Sequence, residues 1–161
     1  MVERGSNTQL TLKEVLEDAI HKEIEANLMY IGLRQRVANP AAKEICQQLS
    51  EQEEIHQQVL EDYLHGKLTE GALSTGMVVD YHIAEYLDQP EIDSNMDLKD
   101  VFLLAANKEK ASHELYLHLA SIHPQGHIRH LLEDLAAQEA IHKLRVETLF
   151  NEVAFPQTDG R

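Results

Sequence analysis

Gln52-Glu53-Glu54-Ile55-His56 and Gln138-Glu139-Ala140-Ile141-His142 are the two stretches on which the fold of this chain turns. Each contains an E-x-x-H, and the second copy stands 86 positions after the first. Working outward, the same displacement joins Glu23 to Glu109 and Tyr30 to Tyr116. Residues three apart on a helix project from one face, so Glu53 and His56 can grip one ion together, as can Glu139 and His142. Two such pairs and two lone glutamates form the ligand set of a carboxylate-bridged di-metal site inside a four-helix bundle.

The repeat reaches beyond those six residues. Leu12-Lys13-Glu14-Val15 returns as Leu98-Lys99-Asp100-Val101, Ala19 as Ala105, Lys22 as Lys108 and Glu61 as Glu147. Identities gather on the ligand-bearing faces and thin out elsewhere, as a duplicated helical hairpin predicts. Two copies of this length are too few and too long for a solenoid.

A chain of 161 residues can bury most of its apolar surface in one core. With 43% hydrophobic and 26% charged residues, it reads as a soluble globular domain. A net charge of −14 argues against nucleic acid and against anionic membrane surfaces as partners, since both need a basic face. Cys46 is the only cysteine, which excludes an internal disulfide and a four-cysteine metal module within this chain. The polar start, Met1 to Gln9, has no apolar segment of a signal peptide, and no stretch approaches the roughly 18 apolar residues of a membrane span. The reading is cytoplasmic.

Thr11-x-x-Glu14 is a capping box, in which each side chain satisfies the other residue's free amide. It opens a helix predicted over about 11–38, after an N-terminal tail at 1–10. Asn39-Pro40 is a boundary, because Asn caps and Pro suits a first helical turn. A second helix is predicted over 41–65, stopping at Gly66, with others over 97–122 and 125–151, the bundle spanning 11–153 and a polar tail 154–161. Residues 66–96, with Gly66, Gly71, Gly76 and Pro90, are too long for a hairpin turn. At ~1.5 Å rise per residue the helices are roughly 35–40 Å long, and a crossover of this size can return the chain to the opposite end. The fold predicted is therefore all-α: a ferritin-like four-helix bundle with a long crossover between its second and third helices. Tyr81–Leu87 reads as a short helical turn covering it.

Four glutamates and two histidines make a mixed oxygen and nitrogen donor set, suited to Fe, Mn or Co. Two divalent ions would cancel four carboxylates; without them the glutamates repel and some must protonate. Ala26 and Ser112, each three residues after a lone glutamate, leave room beside the ions. Tyr30 and Tyr116 lie two turns along the same face, where each hydroxyl can donate to a carboxylate of the site, although ordinary core tyrosines fit as well. A single E-x-x-H would be surface decoration; six residues in equal register are not. His113 reads as a neighbour of the site or as nothing, since its repeat counterpart is Asn27. His118, His123, His127 and His130 gather near the third turn and read as exposed, with a second metal site the alternative. Glu25, Glu51 and Glu54 read as solvent-facing.

The pattern Lys22-Glu23-x-x-Ala26-x-x-x-Tyr30, Glu53-x-x-His56, Lys108-Glu109-x-x-Ser112-x-x-x-Tyr116, Glu139-x-x-His142 resembles the rubrerythrin branch of the ferritin-like superfamily over about residues 11–151. The resemblance implies a homodimeric bundle with two iron ions per chain, or Mn or a mixed pair, that reacts with peroxide or dioxygen. It implies Glu23, Glu53, His56, Glu109, Glu139 and His142 as the metal ligands. Two features depart from it. Standard rubrerythrins carry a rubredoxin module that feeds electrons to the centre; one cysteine cannot build it, so an external donor protein is implied. They also carry a further glutamate where Ser112 stands here. Three readings follow: a di-iron oxidoreductase, a ferroxidase for iron storage or detoxification, and a bundle that holds metal only structurally.

Overall fold

A computed structural model describes residues 10–68, 76, 78–79, 86, 92–93 and 95–154. It is a ferritin-like four-helix bundle: α1 (Leu12–Arg36), α2 (Pro40–Leu64), α3 (Leu98–Ser121) and α4 (His127–Ala154). A two-residue ladder joins β1 (Leu10–Thr11), just before α1, to β2 (Val78–Val79) in the crossover, antiparallel, with Leu10 opposite Val79. The sequence gives no signal for this ladder, because two residues are too few to show alternation. The first nine residues, the Tyr81–Leu87 turn apart from Tyr86, and residues 155–161 lie outside the described residues.

Local chemistry sets the helix ends. Thr11 Oγ1 accepts from the Glu14 amide at 3.2 Å, and the Glu14 carboxylate accepts from the Thr11 amide at 2.8 Å. α1 stops at Arg36, two residues short of the predicted end, with Val37 already extended (φ −78°, ψ 142°). Asn39 Oδ1 accepts from the amides of Ala41 and Ala42, and Pro40 fills the first helical position. Beyond α2, Gly66 takes the left-handed conformation (φ 72°) that ends a helix cheaply only at glycine. α4 starts two residues later than predicted because its first helical bond runs from the His130 amide to the Gly126 carbonyl. It also runs three residues further, to Ala154, since nothing breaks the helix before Pro156.

The helices pair as two tight hairpins, α1–α2 and α3–α4. Each buries an apolar stripe, and the core divides into two layers along the bundle axis. One contains Leu12, Leu16, Leu60, Leu119, Ile128 and Leu132. The other contains Leu33, Cys46, Leu49, Phe102, Val146 and Leu149. Between them lies a slab of buried carboxylates and imidazoles, which would be costly in an apolar core unless paired or bound to metal. No helix among the described residues is long and apolar enough to cross a membrane.

Candidate metal centre

Glu23 projects from α1, Glu53 and His56 from α2, Glu109 from α3, and Glu139 and His142 from α4. Exposure is 1% for Glu53, His56, Glu139 and His142, 3% for Glu23 and 4% for Glu109. Their donor atoms fall into two groups, Glu23–Glu53–His56–Glu139 and Glu53–Glu109–Glu139–His142, each with all its atoms within 4.8 Å of one another. Glu53 and Glu139 belong to both groups. That is the arrangement of two cation positions, each with one glutamate and one histidine of its own, sharing two carboxylates. Among the described residues no other His, Cys, Asp or Glu grouping is close enough to hold an ion.

The imidazoles present Nδ1 inward. His56 Nδ1 lies 2.6 Å from Glu139, 3.4 Å from Glu53 and 3.8 Å from Glu23. His142 Nδ1 lies 2.7 Å from Glu53, 3.7 Å from Glu109 and 3.9 Å from Glu139. Buried His56 Nδ1, Glu109 Oε2 and Glu139 Oε1 have no hydrogen-bond partner. Buried polar atoms are rarely orphaned, and all three belong to side chains of the two donor groups. The donor set and these atoms fit a pair of divalent cations.

An outer ring holds these side chains. The Tyr30 hydroxyl donates to Glu109, and the Tyr116 hydroxyl donates to Glu23. Each tyrosine therefore serves the glutamate of the other hairpin, and both are buried. His56 Nε2 meets Gln138 Oε1 at 2.7 Å, while His142 Nε2 meets Gln52 Oε1. An amide oxygen only accepts, so Nε2 carries a proton and Nδ1 is the nitrogen left for an ion. Sequence reasoning missed the roles of Gln52 and Gln138. Their signal was present, since the repeated unit is Q-E-x-x-H and not only E-x-x-H.

Charge is crowded here. Burial, then repulsion from other glutamates, pushes Glu23 and Glu139 well above the ordinary carboxylate range, and Glu53 rises for the same reasons. Burial also acts to raise Glu109, but the neighbouring Glu139 and His142 side chains, with the hydrogen bond from Tyr30, overcome it and hold this carboxyl below its usual value. His142 resists burial through the nearby carboxylates of Glu109 and Glu53 and is pushed up to about 10. Glu23, Glu53, Glu139 and His142 thus hold protons that incoming cations would displace.

A cavity of about 440 Å³ opens on the α1–α3 side and touches all four carboxylates, with Ala26 and Ser112 in its wall. Its described lining includes neither imidazole, and the histidines are backed by glutamines from the α2–α4 side. The other candidate histidines stand apart from the centre. His113 Nδ1 bonds the Ala136 carbonyl at 2.6 Å. His118 is exposed and stacks on Tyr86, and His127 and His130 are also exposed. His123 corrects the exposed reading: it is buried, bonded to the Tyr63 hydroxyl and the Leu119 carbonyl, both at 2.7 Å. Glu51 and Glu54 face solvent, whereas Glu25 lines the cavity.

Fold and site together define the class of ferritin-like carboxylate bundles with a buried Glu/His centre able to hold metal. Within that class the chain belongs to the rubrerythrin family, whose profile matches residues 14–150. Its fold resembles a protein of Thermotoga maritima described as ferritin-like and diiron-carboxylate: TM-score 0.70, 20% identity, 90% of this chain and 97% of that one covered. It also resembles a hypothetical protein of Pyrococcus furiosus, with TM-score 0.71, 22% identity, and coverage of 92% and 94%. Comparison with curated protein sequences gives no significant match.

Proposed function

We propose that this protein is a di-iron oxidoreductase of rubrerythrin type that reduces peroxide or dioxygen. The observation that carries the reading is the sharing of Glu53 and Glu139 by two four-residue groups, with an open cavity against the carboxylates. Bound iron would supply the redox change: two ferrous ions yield two electrons, which with two protons take one peroxide to two waters. The chain's own part is positional. Tyr30 and Tyr116 fix one oxygen of each unshared glutamate, Gln52 and Gln138 fix the imidazole tautomer, and two apolar layers exclude bulk water from both ends. Electrons return from an external donor protein, because Cys46 alone cannot form a rubredoxin-type module in this chain.

A ferroxidase role is the second reading. Ser112 favours it, since it puts a hydroxyl where standard rubrerythrins are expected to have their extra glutamate. Anaerobic addition of ferrous iron, a count of metal per chain, and stopped-flow absorbance with peroxide and separately with oxygen test both. Two irons per chain and a ferric absorbance that rises faster with peroxide support the oxidoreductase. A faster rise with oxygen, followed by release of iron, moves the assignment to ferroxidase. Two retained metals that react with neither oxidant leave a structural centre and sink the proposal.

A further inference from the structure

A hydroxyl inside a helix commonly bonds back to a carbonyl of the preceding turn, which engages its only proton. Ser50, Ser121 and Thr148 do this, donating to the carbonyls of Gln47 at 2.8 Å, His118 at 2.6 Å and Leu144 at 3.0 Å. Ser112, in the middle of α3, is the exception. It is half-buried, and its hydroxyl makes no hydrogen bond among the described residues.

That hydroxyl belongs to the open side of the centre. Ser112 follows Glu109 by three residues, so the two share a helix face, and both line the cavity together with Glu23, Glu53 and Glu139. Once cations displace their protons, these four carboxylates only accept hydrogen bonds. The other donors of the described lining each have a partner already. Lys22 bonds Glu25, Arg36 bonds the Met96 carbonyl, Tyr116 bonds Glu23 and Tyr86 pairs with His118, while Lys108 has a contact of its own. The first hairpin offers no second hydroxyl, because the repeat-related position in the cavity wall is Ala26. The cavity therefore presents one unengaged hydroxyl to a molecule that enters it, and presents it on the Glu109 side.

We infer that Ser112 donates a hydrogen bond to the oxidant in the α1–α3 cavity and so fixes its orientation against the centre. The inference rests on the oxidoreductase reading for the identity of the occupant, and deepens it by naming the side chain that holds it. The contribution is binding alone; no covalent bond is made or broken at Ser112.

Azide serves as the probe, since it is small, accepts hydrogen bonds and coordinates metal without being consumed. Full-length protein is loaded with cobalt(II), the metal is counted per chain, and azide is titrated while the visible absorbance of the cobalt is followed. The parent should show a saturable change, and Ser112→Ala should bind azide about tenfold more weakly, the loss expected for a hydrogen bond to a charged acceptor. Ser112→Thr keeps a hydroxyl and should bind as the parent does, whereas Ser112→Val has the same shape without one and should match Ser112→Ala. Cobalt per chain should not change in any variant. The inference is overturned by the absence of a saturable response in the parent, by equal affinity in the parent and Ser112→Ala, by equal affinity in the Thr and Val variants, or by loss of cobalt in Ser112→Ala. The azide response involves no electron transfer. Iron-loaded protein that reacts with neither peroxide nor oxygen would end the oxidoreductase reading and leave the azide series intact, whereas equal azide affinities beside a working peroxide reaction would end this inference alone.

Discussion

The two half-sites carry the same residues in the same register, yet they handle charge differently. Glu23 with His56 and Glu109 with His142 are repeat-related pairs. Glu23 is pushed up by burial, whereas Glu109 is held down by its neighbours Glu139, His142 and Tyr30. The hydrogen bonds that build the pairs are crossed. Tyr30 of the first hairpin serves Glu109 of the second, Tyr116 serves Glu23, Gln138 serves His56 and Gln52 serves His142. Each cation position also borrows one shared carboxylate from the opposite hairpin. A duplicated ligand list therefore does not produce two independent sites; each hairpin completes the other, and their protonation is settled jointly.

The strongest way to break the equivalence is to remove a shared carboxylate. Glu53→Ala or Glu139→Ala strips a ligand from both groups and should abolish stoichiometric metal binding. The metal-induced rise in Tm should disappear with it; at a hundredfold excess over Kd that rise reflects about 2.7 kcal/mol. Glu23→Ala and Glu109→Ala each touch one group and should leave one ion per chain. Metal counts by elemental analysis and melts with and without metal check both. If Glu23→Ala and Glu139→Ala lost the same amount of metal, the division into shared and unshared ligands would be wrong.

pH sharpens the comparison next. In metal-free protein His142 is pushed up to about 10, against about 6.5 for an unperturbed imidazole. The folded state then keeps a proton that the unfolded chain releases. The resulting stability is fully present below about pH 6.5 and is lost as pH rises toward 10. Glu23, Glu53 and Glu139, all raised, act in the same direction from the ordinary carboxylate range upward. Glu109 is lowered, so its contribution is lost only as pH falls through its depressed value, outside this window. The urea midpoint of chelator-treated protein should therefore fall between pH 6.5 and 9. His142→Gln should flatten the slope, and bound metal should flatten it too by displacing the protons. A slope unaffected by either change would place its origin elsewhere.

Gln52→Ala and Gln138→Ala come third. Losing the group that orients a ligating histidine typically costs 10–100-fold in metal affinity. Equal losses are expected, each falling on the ion held by the histidine of the opposite hairpin. Titration with a competing chelator reads them out. A loss in only one variant would show that the outer rings are not equivalent despite their matching geometry.

What the sequence made legible follows from the range over which each signal acts. The six residues of the centre stood out because the i, i+3 grip is local and the 86-residue offset repeats it. The capping box at Thr11 and the stop at Gly66 were readable for the same reason. The crossed partnerships were not. Gln52 meets His142 and not its near neighbour His56, which only the assembled bundle decides. His123 looked exposed because it adjoins the Pro124-Gln125-Gly126 turn, and its burial depends on Tyr63, sixty residues earlier. The cavity depends on the gap between α1 and α3, which helix periodicity does not encode.

The smallest contrast concerns the two hairpin joints. The α1–α2 joint is held by a local device, with Asn39 Oδ1 accepting from two amides at the start of α2. The α3–α4 joint is held by a long-range one. His123 Nδ1–H donates to the Leu119 carbonyl, which leaves Nε2 to accept from the Tyr63 hydroxyl on α2. Asn39→Ala should cost about 1 kcal/mol, the usual loss for a cap. His123→Ala leaves a buried tyrosine hydroxyl without its partner and opens a void, for about 2 kcal/mol. Neither residue touches the centre, so metal affinity should hold in both variants while urea midpoints drop. Tyr63→Phe separates the two costs of the His123 change, since it keeps the ring packing and removes only the hydroxyl. If Tyr63→Phe were as damaging as His123→Ala, the hydrogen bond and not the packing would be what ties the second hairpin to the first.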